Sequence, residues 1–223
     1  MVKIFFNSKD ELKITADLYE VSKPKGFILL CHRSHCNRAE YRETAPKINN
    51  FGYSCLAIDQ RSGMKVFGEI NETKIRAKEK GLPTGYLDVK PDIEAAIDHS
   101  FRLNDQKPII LFGSSYSASL ALLVSQETPK VKATVAFSPG EYLKDINLSE
   151  QIKSIDKPIF VTSPKKEIQQ VSEVVKFVSE KWVTQFKPQV AGFHGTKTLW
   201  ESVNGHEAYW KALRQFLNKI EPC

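Results

Sequence analysis

The sequence predicts one α/β domain of 223 residues, built on a mainly parallel sheet with helices on both faces. Apolar runs of strand length recur along the chain, and amphipathic segments of helical length separate them, which is typical of βαβ crossovers. The runs are apolar at almost every position, as expected for strands that helices bury on both faces. A chain of this length is within reach of a single domain.

The individual elements follow from the hydrophobic period. Two segments at the start, 2–6 and 12–19, predict a hairpin at an antiparallel edge of the sheet, because apolar residues alternate in the second segment. Buried parallel strands are predicted at 27–31, 54–58, 109–112, 133–137 and 159–162, with a further strand at 189–193. Helices are predicted at 40–50, 91–101, 115–126, 168–182 and 207–220.

Composition argues against several classes of protein. The net charge is +6, but basic residues are interspersed with acidic ones, so nucleic-acid binding is not expected. No run reaches membrane-spanning length and the N-terminus lacks a secretory signal core, so we expect no membrane contact and a cytoplasmic location. The cysteines are too few and too irregularly spaced for a disulfide framework, and Cys31 and Cys55 are expected to pack as small apolar side chains. The four cysteines are Cys31, Cys36, Cys55 and Cys223.

Small residues at alternate positions follow the apolar run at 109–112. The segment reads Ile-Ile-Leu-Phe-Gly-Ser-Ser-Tyr-Ser. This pattern is typical of a nucleophile elbow, in which a strand turns sharply into a helix and holds a nucleophilic hydroxyl above the sheet. The residues two before and two after the nucleophile must be small, and Gly113 and Ser117 meet this demand around Ser115. A serine that only caps the following helix is the alternative.

Among the three neighbouring serines, Ser115 fits the bend best. Centring the elbow on Ser114 would put Phe112 and Tyr116 at the crowded positions. Centring it on Ser117 would make Gly-Ser-Ser-Tyr the end of a buried strand, which its polar residues disfavour. We therefore predict that Ser115 is the nucleophile.

A serine nucleophile needs a histidine base and an acid that orients the histidine. With such an elbow, the chain order is nucleophile, acid, histidine, and the histidine lies on a loop after the last strand. His206, in Ser-Val-Asn-Gly-His-Glu, fits this place, and we predict it as the base. His194 is the alternative, because it also follows a predicted strand, at 189–193, but it lies closer to that strand.

The predicted acid is Glu167, the only carboxylate in the turn after the strand at 159–162. A carboxylate at a helix start is also favoured by the helix dipole, and the two preceding lysines could hold it in a solvated ion pair. Glu141, which follows the preceding strand, is the alternative acid.

Backbone N–H groups must stabilise the oxyanion that develops during acyl transfer. Tyr116, directly after the nucleophile, is predicted to supply one, and the loop after the strand at 27–31 to supply the other. Within that loop we predict Ser34, with Arg33 as the alternative. Two cysteines and two histidines crowd into residues 31–36, but this spacing is too compressed for paired zinc ligands, so no metal is expected.

One stretch, residues 61–86, does not fit a compact crossover. It is rich in Gly, Lys, Glu and Asn and has no clear periodicity. Long connections in compact domains are usually functional or mobile, and this one leaves the carboxyl end of the strand at 54–58, where parallel sheets bind ligands. We expect it to cover the active site, and an insertion without a role is the alternative.

These segments together resemble the dienelactone-hydrolase-like group of α/β hydrolases. The resemblance rests on the elbow, on the loop His-Arg-Ser-His-Cys-Asn-Arg-Ala-Glu-Tyr, on Cys-Leu-Ala-Ile-Asp-Gln-Arg-Ser-Gly, and on Asn-Gly-His-Glu. It implies an eight-stranded, mainly parallel sheet, no cofactor, and a triad of Ser115, Glu167 and His206. Three features depart from the family: Ser117 replaces the usual second glycine, Arg33 stands where glycine or glutamine is common, and lysines occupy the acid turn. Dienelactone hydrolase itself uses a cysteine nucleophile, so a serine argues against that substrate.

We therefore expect a serine hydrolase that cleaves small carboxylic esters or related acyl compounds through an acyl-enzyme intermediate. Its expected partner is a small-molecule acyl substrate. A catalytically inert binding protein on the same scaffold is the second hypothesis, because the acid turn is irregular and Arg33 is charged. The choice between ester and peptide bonds, the acyl chain length and the oligomeric state stay open at this stage.

Overall fold

A computed structural model describes residues 1–221 and contains one eight-stranded sheet. The strands lie in the order β1-β2-β4-β3-β5-β6-β7-β8. Strand β2 pairs antiparallel with β1 and β4, and all other neighbours are parallel, which confirms the predicted fold class. The strands are β1 (Val2–Asn7), β2 (Lys13–Tyr19), β3 (Gly26–Cys31), β4 (Tyr53–Ile58), β5 (Ile109–Ser114), β6 (Val131–Phe137), β7 (Ile159–Thr162) and β8 (Val183–Phe186).

Helices cover both faces of the sheet and create two apolar cores. Successive strand residues point to opposite faces, so β3 contributes Leu29 to one core and Leu30 to the other. The core of Leu29 contains α3 (Lys90–Leu103) and α4 (Tyr116–Ser125), and the core of Leu30 contains α1 (Thr44–Asn49) and α7 (His206–Ile220). All six residues of β3 are buried, as the continuous apolar run predicted. The helices are α1 (Thr44–Asn49), α2 (Glu72–Glu79), α3 (Lys90–Leu103), α4 (Tyr116–Ser125), α5 (Leu148–Gln151), α6 (Ile168–Val175) and α7 (His206–Ile220).

The C-terminal third differs from the sequence prediction. Helix α6 ends at Val175, and the last strand is β8, whereas residues 189–193 form no strand. Strand β8 lies at the edge of the sheet, pairs only with β7, and all four of its residues are half-buried. An edge strand of this kind does not need the continuous apolar run of a central strand, so its sequence gave no strand signal.

The 61–86 connection is more regular than its composition indicates. Helix α2 lies within it and packs on β2, with Thr73 and Ala77 buried and the Thr73 hydroxyl accepting a hydrogen bond from the N–H of Thr15 at 3.0 Å. Before α2, the N–H of Met64 donates to the carbonyl of Cys36 at 2.9 Å. One part of the connection therefore covers the sheet face, and another part contacts the loop that follows β3.

The described cysteines are free thiols. Cys31, Cys36 and Cys55 are buried, and burial raises the pKa of the Cys31 and Cys55 thiols. Cys223 lies outside the described residues. Over residues 1–221, no helix combines the length and apolarity needed to span a bilayer. In the same range, no three His, Cys, Asp or Glu side chains cluster as metal ligands would.

Candidate active site

Ser115 lies at the turn between β5 and α4. Its backbone has φ 59° and ψ −126°, a conformation that non-glycine residues rarely adopt, and its N–H donates to the carbonyl of Phe137 at 2.8 Å. Ser114 is the last residue of β5 and Ser117 lies inside α4. Of the three serines, only Ser115 therefore occupies the bend.

Steric crowding around the bend explains the small flanking residues. A Cβ on Gly113 would lie 2.4 Å from the carbonyl oxygen of Ser117. Ser117 is buried, and its hydroxyl donates to the carbonyl of His32 at 2.6 Å and accepts from Nε2 of Gln60 at 2.7 Å. The hydroxyl that stands where a second glycine is usual therefore links the elbow to the loop after β3.

A histidine and a carboxylate form a hydrogen-bonded chain with Ser115. The Oγ atom of Ser115 lies 2.8 Å from Nε2 of His194, and Nδ1 of His194 lies 2.9 Å from Oε2 of Glu167. Because an ionised carboxylate can only accept, Nδ1 is the donor to Glu167, and Nε2 is left to accept the hydroxyl proton. This is the geometry of a nucleophile, its base, and the group that orients the base.

The predicted base, His206, does not contact Ser115, so that prediction is wrong. His206 is the first residue of α7, and its Nε2 lies 3.1 Å from Oε1 of the adjacent Glu207. His194 instead lies on the loop that connects β8 to α7, eight residues after Phe186. The predicted strand at 189–193 would place His194 directly at the sheet, but the last strand ends at Phe186, so His194 lies well inside the loop.

Glu167 lies at the predicted place, directly before α6. Burial alone would raise the pKa of its carboxyl group, but the hydrogen bond and charge of His194, helped by the Ser138 hydroxyl, outweigh burial and lower the pKa below its ordinary value. Glu167 is therefore ionised at neutral pH. The alternative acid, Glu141, accepts a hydrogen bond from the N–H of Leu148 at 2.7 Å, at the start of α5, and does not contact the histidine.

Two backbone hydrogen bonds hold the loop between β8 and α7 (residues 187–205, the histidine loop) against the ends of β5 and β6. The N–H of Gly195 donates to Oγ of Ser138, and the N–H of Thr196 donates to Oγ of Ser114, both at 3.0 Å. Gly195 has φ +70°, and a Cβ there would lie 2.6 Å from Oγ of Ser114. The glycine that directly follows His194 is thus required by both its conformation and the close approach. The His-Gly pair at 194–195 is the sequence signal that could have pointed to His194.

The loop after β3 leaves Ser34, not Arg33, as a free amide. The N–H of Arg33 donates to Oε2 of Glu40 at 2.9 Å, and the carbonyl of Arg33 accepts from Nδ1 of His32 at 2.8 Å. Because the peptide bond is planar and trans, the N–H of Ser34 points away from that carbonyl. Within residues 1–221, neither the N–H of Ser34 nor that of Tyr116 donates to a protein acceptor.

His32 fixes this loop as a neutral ring. Burial lowers the pKa of His32 to about 4, which keeps the ring uncharged at neutral pH. With its proton on Nδ1, the ring donates to Arg33, and its Nε2 accepts from the N–H of Gln60 at 3.0 Å. Both nitrogens are therefore used in orienting the loop.

Comparison with known proteins identifies the family. Residues 22–212 match the family model described as serine aminopeptidase, S33. No curated protein matches the chain by sequence. Among solved structures, an esterase from Pyrococcus furiosus has a TM-score of 0.73 at 18% identity, with 99% of this chain and 91% of that one covered.

Two further structures have the same fold. A dienelactone hydrolase from Anabaena variabilis has a TM-score of 0.70 at 15% identity, with 99% of each chain covered. A hydrolase from Pseudomonas aeruginosa has a TM-score of 0.72 at 10% identity, with 96% of this chain and 98% of that one covered. The fold is shared across these structures, and the family model spans most of the chain. The protein therefore belongs to the serine aminopeptidase S33 family of the α/β hydrolases.

Proposed function

We propose that this protein is a serine hydrolase that cleaves small carboxylic esters through Ser115, His194 and Glu167. The observation that supports this most strongly is the hydrogen-bonded chain from Ser115 through His194 to Glu167, with separations of 2.8 and 2.9 Å. Oγ of Ser115 attacks the ester carbonyl carbon while Nε2 of His194 takes the hydroxyl proton. Glu167 stabilises the imidazolium that forms.

The tetrahedral intermediate places a negative charge on the former carbonyl oxygen. The N–H groups of Tyr116 and Ser34 are the proposed donors to that oxygen. His194 then returns its proton to the alkoxy oxygen, the C–O bond breaks, and the alcohol leaves an acyl group on Ser115. A water molecule attacks this acyl-enzyme with His194 again as the base, which releases the carboxylic acid and restores the serine.

Aromatic side chains near the triad favour a substrate with an apolar group. Tyr142 lies edge-on to the ring of His194, with 6.4 Å between the ring centroids. Phe193, adjacent to His194, is exposed, and Trp200 packs against Phe67 of the 61–86 connection at 5.2 Å. Because Phe67 contacts Trp200, which follows His194 in the same loop, we propose that the 61–86 connection forms one wall of the substrate site.

The carboxylates near the triad favour an ester over the amino terminus of a peptide. A desolvated ammonium group needs a negative or strongly polar partner. Glu167 is hydrogen-bonded to His194, and Glu40 is fully buried. Glu167 and Glu40 are therefore not available to an ammonium group, so we propose that the substrate carries no ammonium group beside the scissile bond.

The proposal is tested with Ser115→Ala. This variant should lose hydrolysis of p-nitrophenyl acetate and also labelling by a fluorophosphonate probe. Ser125→Ala is the matched control, because Ser125 is also buried and its hydroxyl only donates to the carbonyl of Leu122 at 3.0 Å, at the far end of α4. Either activity remaining in Ser115→Ala would contradict the role of Ser115.

The same assays separate the competing functions. A folded wild-type protein that reacts with neither reagent would favour the inert binding protein. Faster hydrolysis of an amino acid p-nitroanilide than of the acetate ester would favour a peptidase.

A further inference from the structure

A second carboxylate, Glu40, is buried beside the triad without being part of it. It lies in the 3-10 turn Arg38–Tyr41 and is 0% exposed. Removing a carboxylate from water is costly unless hydrogen bonds and positive charge compensate for the lost hydration. The groups that replace the lost hydration of the Glu40 carboxylate therefore indicate the role of this side chain.

The carboxylate of Glu40 accepts hydrogen bonds from three separate segments. Oε2 accepts from the N–H of Arg33, in the loop after β3, at 2.9 Å. Oε1 accepts from the hydroxyl of Ser114, the last residue of β5, at 3.0 Å. Oε1 also accepts from the hydroxyl of Thr196 in the histidine loop. Hydrogen bonds to an ionised acceptor are roughly twice as strong as those between neutral groups.

Each of these segments carries one part of the proposed catalytic apparatus. Arg33 directly precedes the oxyanion donor Ser34, and Ser114 directly precedes the nucleophile Ser115. Thr196 lies two residues after the base. In the chain, Glu40 is 74 residues from Ser114 and 156 residues from Thr196, so a single carboxylate joins distant segments.

Further contacts close this network. Nε1 of Trp200 donates to the backbone carbonyl of Glu40 at 3.1 Å, so Glu40 holds the histidine loop at two points. The hydroxyl of Ser114 also accepts from the N–H of Thr196 at 3.0 Å. Nε of Arg33 lies 3.7 Å from Oε1 of Glu40 and partly balances its charge.

We propose that Glu40 is a positioning residue that fixes the nucleophile, the base and the oxyanion amides relative to one another. This inference rests on the proposed function. Glu40 does not touch the substrate and acts through Arg33, Ser114 and Thr196. A misplacement of about 1 Å can cost about 100-fold in rate, so loosening these three links should reduce turnover rather than only stability.

Glu40→Gln tests the link with the least change in shape. The amide oxygen can still accept from the N–H of Arg33, and the amide NH₂ can face the two hydroxyls, which can rotate to accept. The charge-assisted bonds become neutral ones, and the two hydrogen bonds with the hydroxyls of Ser114 and Thr196 reverse their direction. We expect kcat for p-nitrophenyl acetate to fall by about 10- to 100-fold, KM to change less than about threefold, and fluorophosphonate labelling to slow by the same factor as kcat.

Two controls separate positioning from general effects. Glu43→Gln removes the same charge from an exposed residue three positions further on, and it should leave kcat unchanged. Ile93→Val makes a small cavity at a buried apolar residue of α3, and it should lower the melting temperature without lowering kcat.

Thr196→Val is the test if Glu40→Gln does not fold. It removes the hydroxyl that links the histidine loop to Glu40, together with that hydroxyl's 3.1 Å contact with Oγ of Ser114, and it leaves the bonds from Arg33 and Ser114 to Glu40 in place. We expect several-fold lower kcat with nearly unchanged KM. In the combined Glu40→Gln and Thr196→Val variant, the losses should be less than multiplicative, because both changes break the same link.

A variant that loses stability but keeps kcat within about threefold of wild type would make Glu40 purely structural and overturn the inference. The failure of the proposed function looks different. If Ser115→Ala abolishes activity while Glu40→Gln and Thr196→Val retain it, only the inference about Glu40 fails. A wild-type protein inert to both reagents would overturn both.

Discussion

Acidification is expected to destabilise the fold through His32. The ring is fully buried, and burial lowers its pKa to about 4, whereas an unfolded histidine has a pKa of about 6.5. Because the pKa of His32 is lower in the folded state, the ring binds a proton in the unfolded chain at a pH where the folded ring stays neutral. The stability contributed by His32 is therefore complete above about pH 6.5 and is lost as the pH falls towards about 4.

The size of this effect follows from the pKa difference. The difference between a pKa of about 6.5 and one of about 4 corresponds to about 3 kcal/mol, and this full loss is reached once the pH is near the pKa of the folded state. At pH 5.5 the unfolded ring is already about 90% protonated and the folded ring is still neutral, so about 1 kcal/mol is lost. Domains have free energies of unfolding of about 5 to 15 kcal/mol, so this loss is measurable.

Urea unfolding followed by tryptophan fluorescence at pH 7.0, 5.5 and 4.5 measures this loss. Other groups also titrate in this range, so the informative quantity is the difference between wild type and His32→Gln. Between pH 7.0 and 5.5, we expect wild type to lose about 1 kcal/mol more than the variant. His35→Gln, at an exposed position of the same loop, should follow wild type. Equal losses in wild type and His32→Gln would refute the reasoning.

Two further predictions concern the base and the elbow. His194→Asn should lower kcat for p-nitrophenyl acetate by about 10²- to 10⁴-fold, or about 3 to 5 kcal/mol of barrier, while His206→Asn should stay within about twofold of wild type. Steady-state kinetics decide this, and the opposite ranking would restore the prediction made from the sequence. Gly113→Ala puts a methyl 2.4 Å from the carbonyl of Ser117, so we expect about 1 to 3 kcal/mol of destabilisation and slower fluorophosphonate labelling. In Gly85→Ala, the methyl would meet only the end of a flexible side chain, and both measurements should match wild type.

The sequence predicts those parts of the fold where the packing of the whole protein leaves a pattern in neighbouring residues. Central strands such as β3 are buried on both faces, so their apolar runs are continuous and easy to recognise. The elbow is equally visible, because a strained bend tolerates only small flanking residues, and Gly113 satisfies this locally. The place of Glu167 beside the site could be predicted because the turn after β7 contains only one carboxylate.

The histidine could not be assigned reliably, because its position depends on an edge strand. Strand β8 pairs on one side only and is half-buried, so Thr184 and Gln185 are acceptable there and leave no apolar run. The position of Glu40 could not be predicted for a different reason. Its burial results from contacts with segments 74 and 156 residues away, and no local pattern records such contacts.

Three departures from the family pattern led to the hypothesis of an inert binding protein, and the residues at each of them make specific contacts in the folded chain. The Ser117 hydroxyl bonds to the loop after β3, and the side chain of Arg33 lies beside the buried Glu40. In the acid turn, the N–H of Lys165 donates to the carbonyl of Ala191 at 2.9 Å, and the charge of Lys166 helps to lower the pKa of Glu167. A decayed site would be expected to lose such compensating contacts first, because nothing would select for them. These contacts therefore favour an active hydrolase over an inert binding protein, and fluorophosphonate labelling of the folded wild-type protein directly distinguishes the two.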